Sequence, residues 1–113
     1  MSIRSWNKEF LPVSAKKAAN DFNDPSDLVI HSLRRWTGFT HESISRHNVN
    51  VDQVDGGSAD CALCQAYWDQ SCLNCPIVKT TRRDCHNQYV IFRMTNNPKP
   101  MIRLLTRVLK KLK

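Results

Sequence analysis

Glycine is scarce here, with three in 113 residues. A loop that cradles phosphate through its backbone needs several glycines close together, so P-loop chemistry is excluded. No apolar run approaches the roughly 18 residues that a membrane-spanning helix requires. Residues Met1–Phe10 have no apolar stretch of the kind that marks a secretory leader, so a cytoplasmic protein is expected. Negative charge is also thin in the second half. Residues 1–55 balance seven Lys and Arg against seven Asp and Glu, whereas residues 56–113 hold ten against three. The net charge of +7 therefore belongs to the C-terminal half, and all ten of its cations lie at or after Lys79. Such an imbalance calls for an anionic partner, either nucleic acid or an acidic surface on another protein.

Some enzyme classes lack their marks as well. There is no nucleophile elbow and no pair of acids in a hydrolytic motif. His31 flanks an apolar stripe and reads as a partly buried, hydrogen-bonded residue. His41 and His47 are six apart, which puts them on different sides of a helix. A non-catalytic protein is expected.

Apolar residues make up 41% of the chain and nine residues are aromatic, enough for one core in a chain of this length. The patterning is helical. Ser14 is placed to cap a short helix over 15–20. Asp24 at the N-cap, Pro25 at the first helical position and Asp27 in the first turn open a longer one. Val29, Leu33 and Trp36 draw its apolar stripe, Arg34 and Arg35 sit near its C-terminal end, and Gly38 stops it. Thr40 caps a further helix over 41–47, with Ile44 inward. The order helix, Gly38, helix invites a DNA-reading hairpin with Ser43, Ser45, Arg46 and Asn48 on its second helix, but that half of the chain is neutral. Residues 1–13 read as irregular, with Trp6, Phe10 and Leu11 as anchors. Val49, Val51 and Val54 lie in a short interrupted segment, and Asp55-Gly56-Gly57 marks a turn. Residues 88–95 read equally as a strand or the end of a helix. Pro100 opens the last helix, with Met101, Leu105, Val108 and Leu112 on one face and Arg103, Arg107, Lys110, Lys111 and Lys113 on the other.

Five cysteines fall within 25 residues. The odd count argues against a closed disulfide framework. Cys61-Ala-Leu-Cys64 and Cys72-Leu-Asn-Cys75 are two C-x2-C hooks, and Cys85 follows with His86 beside it. Each hook aims two thiolates at one ion from a tight turn, and a tetrahedral zinc takes four. The hooks are separated by seven residues, fewer than the roughly fifteen of common zinc ribbons. Cys85 therefore competes for a place in the tetrad, and His86 is a possible substitute. All-sulfur sites favour zinc first and an iron–sulfur cluster second. Four protein ligands leave no open position, so the site would be structural.

The fold class expected is mainly α, a small zinc-stabilised single domain with little or no β. It divides into a helical half over 1–55, a cysteine-rich metal-binding module over 56–95 and a basic amphipathic helix over 96–113. Lys79, Arg82, Arg83, Arg93, Arg103, Arg107, Lys110 and Lys111 are the expected contacts to nucleic acid, with Lys99 nearby and Tyr89 and Phe92 as candidates for stacking on bases.

Leu33-Arg-Arg-Trp36-x-Gly38-Phe39, His47, the Cys61-Ala-Leu-Cys64 hook and the Cys72-x2-Cys75-Pro76-Ile77 block with a later Cys85 resemble a group of small bacteriophage-encoded proteins. The likeness spans roughly residues 28–90, and the Cys-Pro-Ile block is its specific part. Near the last cysteine the group tends to show Thr-Pro-Tyr where this chain has Asn87-Gln88-Tyr89. The group has no assigned activity. The resemblance implies a phage or prophage origin, residence in the host bacterial cytosol and metal binding, and no particular reaction.

Overall fold

The computed structural model describes residues 3–55, 61–67, 75–81 and 86–112. Among the described residues it is mainly helical, and none forms a strand. The elements run α1 (Ile3–Phe10), α2 (Ala15–Asp21), α3 (Pro25–Thr37), α4 (His41–His47), α5 (Val51–Val54), α6 (Ala62–Tyr67), α7 (Pro76–Thr81), α8 (His86–Thr95) and α9 (Lys99–Leu112). The radius of gyration, 13.3 Å, matches the ~13 Å expected of a compact chain of this size.

The caps act where the sequence places them. The Ser14 hydroxyl accepts from the Lys17 amide, the Asp24 carboxylate from the Ser26 amide and the Thr40 hydroxyl from the Ser43 amide. Each satisfies one of the orphan N–H groups that every helix start leaves.

Two segments differ from expectation. Residues 3–10 are helical rather than irregular, because Trp6 and Phe10 stand one turn apart and both enter the core. Residues 86–95 form α8, and this settles the ambiguity of the apolar run as helix. Phe92 points into the core with no exposed surface, while Val90 and Met94 remain outside.

An aromatic column forms the centre. Trp6 stacks on Phe39 with ring centroids 5.6 Å apart, Phe39 stacks on Phe92 at 5.1 Å, and Trp36 meets both Phe39 and Phe92 edge-on. These rings come from α1, α3, the turn after α3, and α8. The buried face of α9, Met101, Leu105 and Val108, closes the core, and α9 lies along α3 with α7 and α8 beside it. On the other side α6 packs against α2 and α3. The described parts of the cysteine-rich segment thus share one core with the N-terminal helices.

Gly38 ends α3 for a reason other than backbone conformation. Its φ is −67°, open to any residue. A Cβ there would stand 2.6 Å from the Trp6 ring and 2.7 Å from the Phe10 ring, and the Gly38 carbonyl accepts a 2.8 Å hydrogen bond from the Trp6 indole. Both rings are locked in the core and cannot retreat cheaply. Gly38→Ala is expected to lower stability by about 2 kcal/mol through overpacking, read as a lower urea midpoint. An unchanged midpoint would show that the rings yield.

Candidate metal centre and basic helix

Cys61 stands at the N-cap of α6, so its sulfur is where a cap side chain would be. The Cys64 side chain and the Cys64 backbone N–H, three residues on, both hydrogen-bond to it. This is how a C-x2-C hook works at a helix start: one turn brings the second sulfur and an orphan amide onto the first. The Ser32 hydroxyl approaches Cys61 Sγ at 3.9 Å from α3, and the Arg35 charge lies nearby. The Cys64 hydrogen bond is the largest influence, and together with its amide, Arg35 and Ser32 it outweighs burial and brings the Cys61 thiol down to about 6. A thiol so placed ionises readily, as a metal ligand must.

Cys75 is buried immediately before α7, and its neighbourhood together with burial raises the Tyr67 hydroxyl above its ordinary value, burial being the larger cause. No disulfide joins Cys61, Cys64 and Cys75 to one another. Among the described residues no three metal-ligating side chains converge. Cys72, Cys85, Arg82 and Arg83 lie outside the described residues, as does the side chain of His86. The donor set that is described, one thiol pair with a favoured thiolate, fits half of a tetrahedral sulfur site.

A buried charge cluster joins α3 to the approach to the cysteines. Arg35 and Asp55 have side chains 1% and 2% exposed and meet at 2.9 Å. The Tyr89 hydroxyl donates to the other Asp55 oxygen at 3.1 Å, and Arg93 donates to it at 3.2 Å. Arg35 also lies over the Phe39 ring, 5.1 Å from its centroid. Burial first, and the Asp55 charge second, raise the Tyr89 hydroxyl.

The expected nucleic-acid contacts separate into groups. Arg103, Arg107, Lys110 and Lys111 are exposed on α9 and line an open hollow of about 490 Å³ whose floor includes Ile102 and Thr106. No acidic side chain among the described residues pairs with these four. Lys79 is exposed on α7, next to α9, and Lys99 is exposed at the start of α9. Arg93 differs: it is turned to Asp52 at 3.3 Å and to Asp55, so its charge is already engaged. Phe92 is fully buried and does not reach a base, and the Tyr89 hydroxyl is committed to Asp55.

Of the residues that a DNA-reading hairpin would present, Ser45 and Asn48 are exposed. Ser43 and His47 of α4 are buried, and Arg46 is paired with Glu9 of α1 at 2.7 Å. His31 behaves as its place beside the apolar stripe implies: it is 8% exposed and its Nε2 meets the Val13 carbonyl at 2.6 Å.

One cluster escaped sequence reasoning. Ser5 Oγ lies 2.9 Å from His47 Nδ1, and His47 Nε2 lies 2.7 Å from Glu9 Oε1. Ser5 and Glu9 are one helical turn apart, a spacing visible in sequence, but His47 is 42 residues from Ser5 and only the docking of α4 on α1 brings it there.

No family model, no curated protein and no solved structure matches the chain. No helix among the described residues is long and apolar enough to cross a membrane.

Proposed function

We propose that this chain is a zinc-stabilised accessory protein of phage or prophage origin that binds nucleic acid through its basic C-terminal half and performs no chemistry on it. Four of Cys61, Cys64, Cys72, Cys75 and Cys85 would hold the ion, and the closed sulfur site would serve the fold. The observation that carries the binding reading is the row of four exposed, unpaired cations on α9. Arg103, Arg107, Lys110 and Lys111 sit at i, i+4, i+7 and i+8, which spreads them over about 12 Å of helix axis. Along a duplex axis each strand advances about 3.4 Å per phosphate, so the row is commensurate with about four consecutive phosphates. The hollow between them offers no amide or aromatic group to read a base edge. The row is read as contact to the phosphate backbone, and base contacts by Arg103, Arg107 or Thr106 would show as a preference among sequences.

Four phosphate contacts fix the salt response. The slope of log K against log salt is expected near about −3.6 on duplex DNA and about −2.8 on a single strand. Each single change to Gln at Arg103, Arg107, Lys110 or Lys111 should reduce the slope by roughly one contact's share, whereas Arg93→Gln should leave it alone. Fluorescence anisotropy over a salt series reads both. The reading fails if no binding is seen at low salt and a host protein with an acidic surface is retained on the immobilised chain after nuclease treatment.

A further inference from the structure

Away from the cysteines and from α9, three side chains stand in the order of a proton relay. We propose that Ser5, His47 and Glu9 form an acyl-transfer site in which Ser5 is an activated nucleophile towards carboxylic esters. For a neutral His47 the directions of the two hydrogen bonds follow from chemistry. The Glu9 carboxylate is acceptor-only when ionised, so His47 Nε2 carries the proton between them. The lone pair of neutral His47 is then on Nδ1, facing Ser5 Oγ at 2.9 Å, and the serine hydroxyl donates to it. Nucleophile, base and orienting acid are each within 3 Å of the next.

The site is also held in place. Arg46 takes the second Glu9 oxygen at 2.7 Å and so fixes the carboxylate plane. The hydrogen bond from His47, then Arg46, lowers the Glu9 carboxyl below its ordinary value, which keeps it ionised at neutral pH. Phe10 meets the His47 ring edge-on with centroids 5.7 Å apart. His47 is 6% exposed, which shields its bond to Glu9 from water, while Ser5 is only partly buried.

The step balances without a cofactor. Ser5 Oγ attacks the ester carbonyl carbon as its proton passes to His47 Nδ1. The resulting imidazolium is stabilised by Glu9. It then gives that proton to the departing alkoxide as the C–O bond breaks. Water, deprotonated by His47, then attacks the acyl carbon, and His47 returns that proton to Ser5 Oγ as the bond from the acyl carbon to Oγ breaks, which releases the carboxylic acid.

The test uses the full-length chain with a fluorophosphonate probe, which is attacked at phosphorus by an activated serine and loses fluoride. Expected is one adduct, mapped to Ser5 by peptide mass spectrometry and absent from Ser5→Ala. A burst with p-nitrophenyl acetate should leave an acetyl group on the same residue. His47→Gln should slow labelling by about 100-fold, the scale of a lost general base. Glu9 acts through His47 as a positioning residue, so Glu9→Gln should slow labelling with an unchanged melt and Glu9→Asp should restore part of the rate. Glu9 is partly exposed, so its variants serve if His47→Gln fails to fold. The proposal is overturned if the folded wild-type chain takes no probe, if Ser5→Ala labels equally, or if folded Glu9→Gln labels at the wild-type rate.

Discussion

Asp55→Ala is expected to cost about 3–5 kcal/mol, because it strips a fully buried guanidinium of its carboxylate. Arg35 has a 1% exposed side chain and meets Asp55 at 2.9 Å. The same change removes the acceptor for Tyr89 and Arg93. Against a typical total of about 5–15 kcal/mol, that loss is a large part of the stability of the domain. Arg93→Gln supplies the contrast. Arg93 is 45% exposed, and a solvent-screened contact of that kind is worth less than about 1 kcal/mol. Replacing both members of the buried pair by apolar residues, Arg35→Met with Asp55→Leu, should recover much of the single-mutant loss, since a desolvated pair is costly to break and not to exchange. Urea unfolding of the three variants decides. Equal, small effects of Asp55→Ala and Arg93→Gln would show that the pair contributes no more than a surface contact.

Withdrawing the proposed zinc should have a larger effect still. A structural zinc site in a small protein contributes on the order of 10 kcal/mol, comparable to the whole stability of a domain. A strong zinc chelator is therefore expected to abolish cooperative unfolding, and Cys64→Ser to do so without chelator. The loss should spread beyond the hooks, because α6 packs on α2 and α3. Retention of a sharp, unchanged melt in chelator would mean that the aromatic column and the α3–α9 contact suffice.

The parts of the fold that were legible in sequence are those with local chemistry. Asp24 followed by Pro25, Thr40 ahead of His41, and the seven-residue recurrence of Met101 and Val108 on α9 each announce a helix without reference to the rest of the chain. α1 and α8 were harder because α1 has few apolar residues, the apolar run of α8 is too short for its period to decide, and the helicity of both is settled by what they pack on. Trp6 and Phe92 read as ordinary aromatics until both meet Phe39. Gly38 was legible as a stop, yet its cause is contact with Trp6 and Phe10. Among the described residues the left-handed positions fall instead on Asn48 and Asn96, each at the end of a helix.

The site divides in the same way. The Cys61–Cys64 hook and the cationic row follow from spacing along the chain, since each is built within about two turns. The ion pair of Arg35 with Asp55 was hidden: Arg35 reads as a favourable charge at a helix end, and Asp55 as part of a turn. Its partner choice depends on the chain returning to α3 after α5. The relay of Ser5, His47 and Glu9 was hidden for the same reason, with only the Ser5 and Glu9 spacing to hint at it.

The central claim is that one ion joins four of the five sulfurs, and it can be tested by counting. Elemental analysis of the full-length chain purified without chelator should find one zinc per chain, in a colourless solution, with a single thiol reacting in native buffer and all five after chelation. A metal-free chain in which every thiol reacts at once while the melt stays cooperative would contradict it.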